Sequence, residues 1–129
     1  MFRVIIAGSR TFDNYDLLQH KMDYFLSEIT EPVQVVCGLA RGADALGLQY
    51  ARNRGFEIRY YPAEWERYGK SAGYRRNAQM AENADALVAF WDGESRGTMN
   101  MITQARTHNL KVRIVRYDLE PQQIKIEHA

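Results

Sequence analysis

Short, nearly continuous apolar runs alternate along the chain with longer stretches in which apolar residues recur every three or four positions. The runs Arg3 to Ala7, Gln34 to Cys37, Glu57 to Tyr61, Ala86 to Trp91 and Val112 to Arg116 are rich in Val, Ile or aromatic residues, and each reads as a strand. Several lack polar alternation, as strands buried on both faces do. Between the first two, Leu18, Met22, Phe25, Leu26 and Ile29 form one stripe of a helix that starts near Asp13 or Asn14, both good N-caps. A second helix is predicted from Ala43 to Arg54, ended by Gly55, which suits a left-handed C-cap. A third spans about Ser71 to Asn83, and a fourth about Thr98 to Asn109, with Ile102 and Ala105 turned inward.

Strands alternating with helices predict an α/β three-layer sandwich, a five-stranded parallel sheet covered by helices on both faces. Connections are short except from Pro62 to Ala84. In a doubly wound sheet of order 3-2-1-4-5 the chain must return past the first strand, and this long segment is the expected crossover. The reversal opens a crevice between strands one and four, where ligands bind beyond the strands' carboxyl ends. One domain is expected over 1–117. The tail, 118–129, holds at most a short further strand at Ile124 to Ile126.

At 129 residues and net charge +1, the chain suits a single globular domain and lacks the basic excess of a broad nucleic-acid surface. The cations are nonetheless skewed, with 13 Arg against 4 Lys, and Arg favours two-pronged contact with phosphate or carboxylate. Cys37, the single cysteine, leaves no disulfide within the chain and fits a reducing compartment. No apolar stretch approaches a membrane span, so a cytoplasmic protein is expected. His20, His108 and His128 are dispersed, so neither a metal site nor a cofactor is expected.

Chemistry concentrates where strands end. The first is followed by Gly8-Ser9-Arg10, the second by Gly38-Leu39-Ala40-Arg41-Gly42-Ala43-Asp44, and the fourth by Asp92-Gly93-Glu94-Ser95-Arg96-Gly97-Thr98. Glycine lets backbone N–H groups approach a ligand, and the following helix N-terminus favours negative charge. Each loop alone has a plainer reading as turn chemistry, with Arg10 or Arg41 paired to Asp44 or Asp92. Three such loops meeting at one crevice favour a phosphate site. No G-x-x-x-x-G-K-[ST] or G-x-G-x-x-G is present, which excludes a P-loop mechanism. In the crossover, Trp65, Tyr68 and Tyr74 accompany Arg75, Arg76 and Asn77, a mixture able to stack on a base and meet phosphate. Trp65 and Tyr68 equally suit a sheet-edge cover or a subunit contact, and a homo-oligomer is expected.

The segments G-S-R-T-F, G-L-A-R-G-A-D, Y-P-A-E-W-x-x-Y-G-K-x-A-G-x-x-R-N-x-x-M and A-F-W-D-G-x-S-x-G-T together resemble the YspA-related branch of the SLOG superfamily. That resemblance implies a Rossmann-like fold and binding of nucleotides or nucleotide-derived signalling molecules, such as ADP-ribose-like or cyclic nucleotide ligands. LOG-type phosphoribohydrolases in that superfamily carry G-G-x-G-T-x-x-E. Gly97-Thr98 match its G-T, whereas Met101 stands at the acidic position. The DNA-processing protein DprA is similar at Arg10, Arg76 and Asn77.

Three functions follow in order. The first is a sensor or sequestering module, with Arg10, Arg76 and Arg96 on phosphates, Gly8, Ser9, Gly42, Gly97 and Thr98 as donors, and Trp65 or Tyr68 on the base. On this reading Arg10 and Arg76 can be truncated without changing the melting temperature. The second is a hydrolase or transferase acting on an N-glycosidic or phosphate bond, with Asp92 or Glu94 as its carboxylate and Glu64 within reach. The third is single-strand DNA binding, which the near-neutral charge opposes.

Overall fold

A computed structural model describes residues 1–119; most of the predicted tail, with Ile124 to Ile126, lies outside the described residues. Strands β1 (Phe2–Gly8), β2 (Val33–Cys37), β3 (Glu57–Tyr60), β4 (Ala86–Trp91) and β5 (Lys111–Arg116) form one sheet of order β3-β2-β1-β4-β5, with every neighbouring pair parallel. The fold is therefore the expected Rossmann-like α/β sandwich.

The continuous apolarity of the central strands has a direct cause. Val4 and Ile6 of β1, with Ala86, Val88 and Phe90 of β4, point into a core shared with helices α1 (Tyr15–Leu26) and α2 (Ala43–Arg54). Their alternates Ile5, Ala7, Leu87 and Ala89 point into a second core under α4 (Ala72–Glu82) and α5 (Arg96–Thr107). Both sets are buried, so period-two polarity is absent. Each fully buried aliphatic side chain contributes about 1.5–3 kcal/mol, so this double layer holds the strand ends in fixed positions.

Asn14 caps α1, its Oδ1 accepting the Leu17 N–H at 3.0 Å. The helix stops at Leu26; Ile29, predicted on its stripe, lies beyond it and still packs on the core. Gly55 ends α2 in the left-handed region, at φ 72°. The crossover departs from the single helix predicted there. A short α3 (Trp65–Tyr68) and a 3₁₀ turn (Gly69–Ser71) precede α4, because Gly69 takes φ 56°, ψ −132°, which no α-helix accommodates. Helix α5 begins two residues before Thr98, at Arg96, and ends at Thr107. Asn109, at φ 60°, supplies the left-handed turn that leads into β5.

No helix among the described residues is long and apolar enough to cross a membrane.

Candidate functional site

The three strand-end loops converge, and Ser9 is the knot. Its N–H donates to the Phe90 carbonyl at 2.9 Å, and its own carbonyl accepts from Phe12 and Ala43, each at 3.2 Å. Its Oγ accepts the Asp92 N–H at 3.1 Å. One buried serine thus joins the β1, β2 and β4 loops. Gly42, at φ 73°, lets the β2–α2 loop close on the β1–α1 loop: a Cβ there would lie 2.3 Å from the Ser9 carbonyl oxygen.

Above this knot lies a hollow of about 260 Å³, bordered by Gly8, Arg10, Asp44, Trp65, Arg76 and Thr98. It runs into a second of about 290 Å³, where Arg10 and Arg76 are joined by Arg41 and Gly38. Arg10, Ala40, Trp65 and Arg76 border both, so the two form one crevice, which together reaches the size of a small-molecule site, about 300–1,000 Å³. Met80 and Met101 give it an apolar floor.

Asp44 is 5% exposed, and its Oδ2 accepts the Ala40 N–H at 3.1 Å. Burial pushes its carboxyl up to about 6, against the Ala40 hydrogen bond and the nearby Arg76 and Arg10 guanidiniums. Arg76 reaches across from α4, donating to the Gly38 carbonyl and, through Nε, to Asn77 Oδ1 at 3.1 Å. Burial lowers its pKa, opposed by Asp44. Asn77 is buried and anchors α4 to the first turn of α5, donating to the Gly97 carbonyl at 3.2 Å and to Asn100 Oδ1 at 3.0 Å. Thr98 donates to Ser95 Oγ at 3.1 Å. Arg10 and Arg41 are exposed on the rim, and neither forms an ion pair among the described residues.

Ionised Asp44 costs stability. Its folded-state value lies above the ordinary 3.8, so between about 4 and about 6 the folded protein holds the extra proton, and stability falls as pH rises through that window. Two units at about 1.4 kcal/mol each amount to about 3 kcal/mol. Asp44→Asn should therefore be more stable than wild type near pH 8 by about 2–3 kcal/mol and no more stable near pH 4. Urea denaturation at both pH values checks this; equal destabilisation at both would show that the fold needs the carboxylate.

Several sequence-predicted residues lie elsewhere. Tyr68 is outside the crevice, its ring stacked against the Arg75 and Arg67 guanidiniums at 4.3 and 4.9 Å. Tyr74 borders the crevice instead, with Trp65. Arg96 and Glu94 are exposed and border neither hollow. Asp92 closes its own turn: one carboxylate oxygen accepts the Glu94 and Ser95 N–H groups at 2.9 and 2.8 Å, and these bonds hold its pKa below the usual range. It is thus a poor proton donor. Gly93 approaches Arg116, away from the hollow, and Glu64 pairs outward with Arg67 at 3.9 Å. Sequence reasoning missed Lys70, which borders the crevice beside Gly73 and Tyr74; its only signal was membership of the Gly- and Tyr-rich crossover. No group of three or more His, Cys, Asp or Glu among the described residues is placed to hold a metal.

A family model described as the YspA, cpYpsA-related SLOG family matches residues 2–68, the span that carries the β1 and β2 loops and Trp65. The gene 61 protein of Mycobacterium phage D29 is 34% identical over 118 residues, covering 87% of this chain and 94% of that protein.

Proposed function

The chain belongs to the YspA, cpYpsA-related SLOG family, and from that premise we propose that its crevice binds a nucleotide-derived, phosphate-bearing ligand, as a sensor or sequestering module. One observation carries the reading. Arg10, Arg41, Lys70 and Arg76 border the crevice against a single described carboxylate, Asp44. Such an excess of guanidinium suits the planar, charge-assisted contacts that phosphate makes. Trp65, half exposed on the wall common to both hollows, offers a face for a base.

Arg10 and Arg41 stand on the rim, and neither side chain makes a hydrogen bond or an ion pair among the described residues. Arg10→Ala and Arg41→Ala should therefore each weaken binding about ten- to a hundredfold, the worth of a hydrogen bond to a charged group, while the melting temperature stays that of wild type. Calorimetric titration with nucleoside diphosphates and ADP-ribose measures the first effect and thermal unfolding the second. Unaltered affinity in both variants would remove the phosphate assignment. Hydrolysis through Asp92 or Glu94 draws no support from the geometry, because one carboxylate is committed to its turn and the other lies off the crevice.

A further inference from the structure

Leu39, in the loop after β2, stands in the left-handed region at φ 63°, a conformation that a bulky side chain rarely adopts. The backbone turn itself has a reason. It brings the Ala40 N–H to Asp44 Oδ2 at 3.1 Å, next to the Gly38 carbonyl that Arg76 holds. The leucine side chain has no such reason within the fold. It is 47% exposed and belongs to neither core, so burial does not offset the strain. Glycine or asparagine would make the same turn at lower cost, as Asn109 does at the other described non-glycine position of positive φ. Strain kept without a return in packing marks a residue that does something besides fold.

Leu39 borders the second hollow, of about 290 Å³, together with Pro62, Ala63 and Trp65. Trp65 is itself 51% exposed. Two large apolar side chains, each about half open to solvent, thus share one hollow with arginines, and no described carboxylate borders it. This chemistry selects the guest. A cation would find no anionic partner there, and phosphate alone would leave the leucine and the indole wet. A heteroaromatic base offers both an apolar face, while its ring nitrogens and carbonyl oxygens accept hydrogen bonds from guanidinium. We infer that the second hollow is the base subsite of the crevice and that Leu39, with Trp65, holds the base there. The inference rests on the nucleotide reading above and goes further, because it places the base in one of the two hollows and gives the strained leucine its role.

The test titrates the common nucleoside diphosphates and inorganic pyrophosphate calorimetrically into wild type, Leu39→Gly, Leu39→Asn and Leu39→Met. Glycine and asparagine keep the left-handed turn and remove the apolar contact, whereas methionine keeps an apolar chain. Wild type should bind a nucleoside diphosphate about ten- to a hundredfold more tightly than pyrophosphate, as stacking of a base on an aromatic side chain is worth. Leu39→Gly and Leu39→Asn should lose about three- to tenfold in affinity for that nucleotide, the worth of covering the open half of a leucine, and bind pyrophosphate as wild type does. Their melting temperatures should not fall, because the strain is gone. Leu39→Met should stay close to wild type in affinity. Lost affinity without lost stability is a combination that a merely structural role of Leu39 would not produce. If Leu39→Gly and Leu39→Asn bind the nucleotide as wild type does, if they lose pyrophosphate to the same degree, or if pyrophosphate binds wild type at least as tightly as the nucleotides, the base subsite is overturned and the phosphate reading stands. If neither the nucleotides nor pyrophosphate bind, both fall.

Discussion

Gly42→Ala should lower the unfolding free energy by about 3 kcal/mol or more and abolish ligand binding. Two costs combine. The residue sits at φ 73°, ψ −122°, a conformation that costs a residue with a Cβ about 1–3 kcal/mol. The added methyl group would also lie 2.3 Å from the Ser9 carbonyl oxygen and 2.5 Å from the Arg10 carbonyl. These are backbone atoms and cannot rotate away, so the β1 and β2 loops must separate, and the bond from the Ala43 N–H to Ser9 stretches with them. Gly55→Ala is the uncrowded comparison, at a similar φ but in the αL region. Gly55 has φ 72° with nothing within 4 Å of a built Cβ, so it should lose only about 1 kcal/mol, the left-handed penalty alone. Urea denaturation of the pair separates backbone strain from crowding. Equal losses would show that the close approach of the two loops carries no energy.

Arg76→Ala should weaken nucleotide binding at least about a hundredfold and, unlike Arg10→Ala, should also destabilise the free protein by about 2–4 kcal/mol. From sequence alone Arg76 is expected to be dispensable to the fold; its contacts in the folded chain predict otherwise. The guanidinium donates to the Gly38 carbonyl and offsets the buried Asp44 carboxylate. Removing it strands a carbonyl and a carboxyl, and each orphaned buried group costs about 1–3 kcal/mol. The double variant Arg76→Ala with Asp44→Asn should regain part of the lost stability, because the uncompensated charge is gone, without regaining affinity. Thermal unfolding and titration on the single and double variants check both. A double variant no more stable than Arg76→Ala would show that Asp44 and Arg76 are not coupled.

The sheet order was legible because runs such as Val4–Ala7 and Ala86–Phe90 are apolar on both faces, and because one connection is far longer than the rest. The convergence of the Gly8, Gly38 and Asp92 loops followed from that order. What the sequence could not supply was orientation within the crossover and the β4 loop. Arg75 and Arg76 are neighbours on α4, yet about 100° of helical rotation sends one to Tyr68 on the outer surface and the other to Gly38 in the crevice. Tyr68 and Tyr74 divide in the same way, because Gly69 breaks the helix between them. Asp92 looked like free acid chemistry beside a phosphate loop. Its carboxylate instead accepts the N–H groups two and three residues on, the local turn chemistry that Asp so often adopts. Asp44 lay in the motif, but its burial, its hydrogen bond from the Ala40 N–H and the approach of the Arg76 guanidinium required the folded chain.

The most direct measurement is a crystal structure of the protein grown with ADP. Ligand density is predicted in the crevice between the ends of β1 and β4, with phosphates at Arg10 and Arg41 and the base against Trp65. Density for ADP at any other surface, or a crevice free of ligand when ADP is in excess, would contradict the assignment.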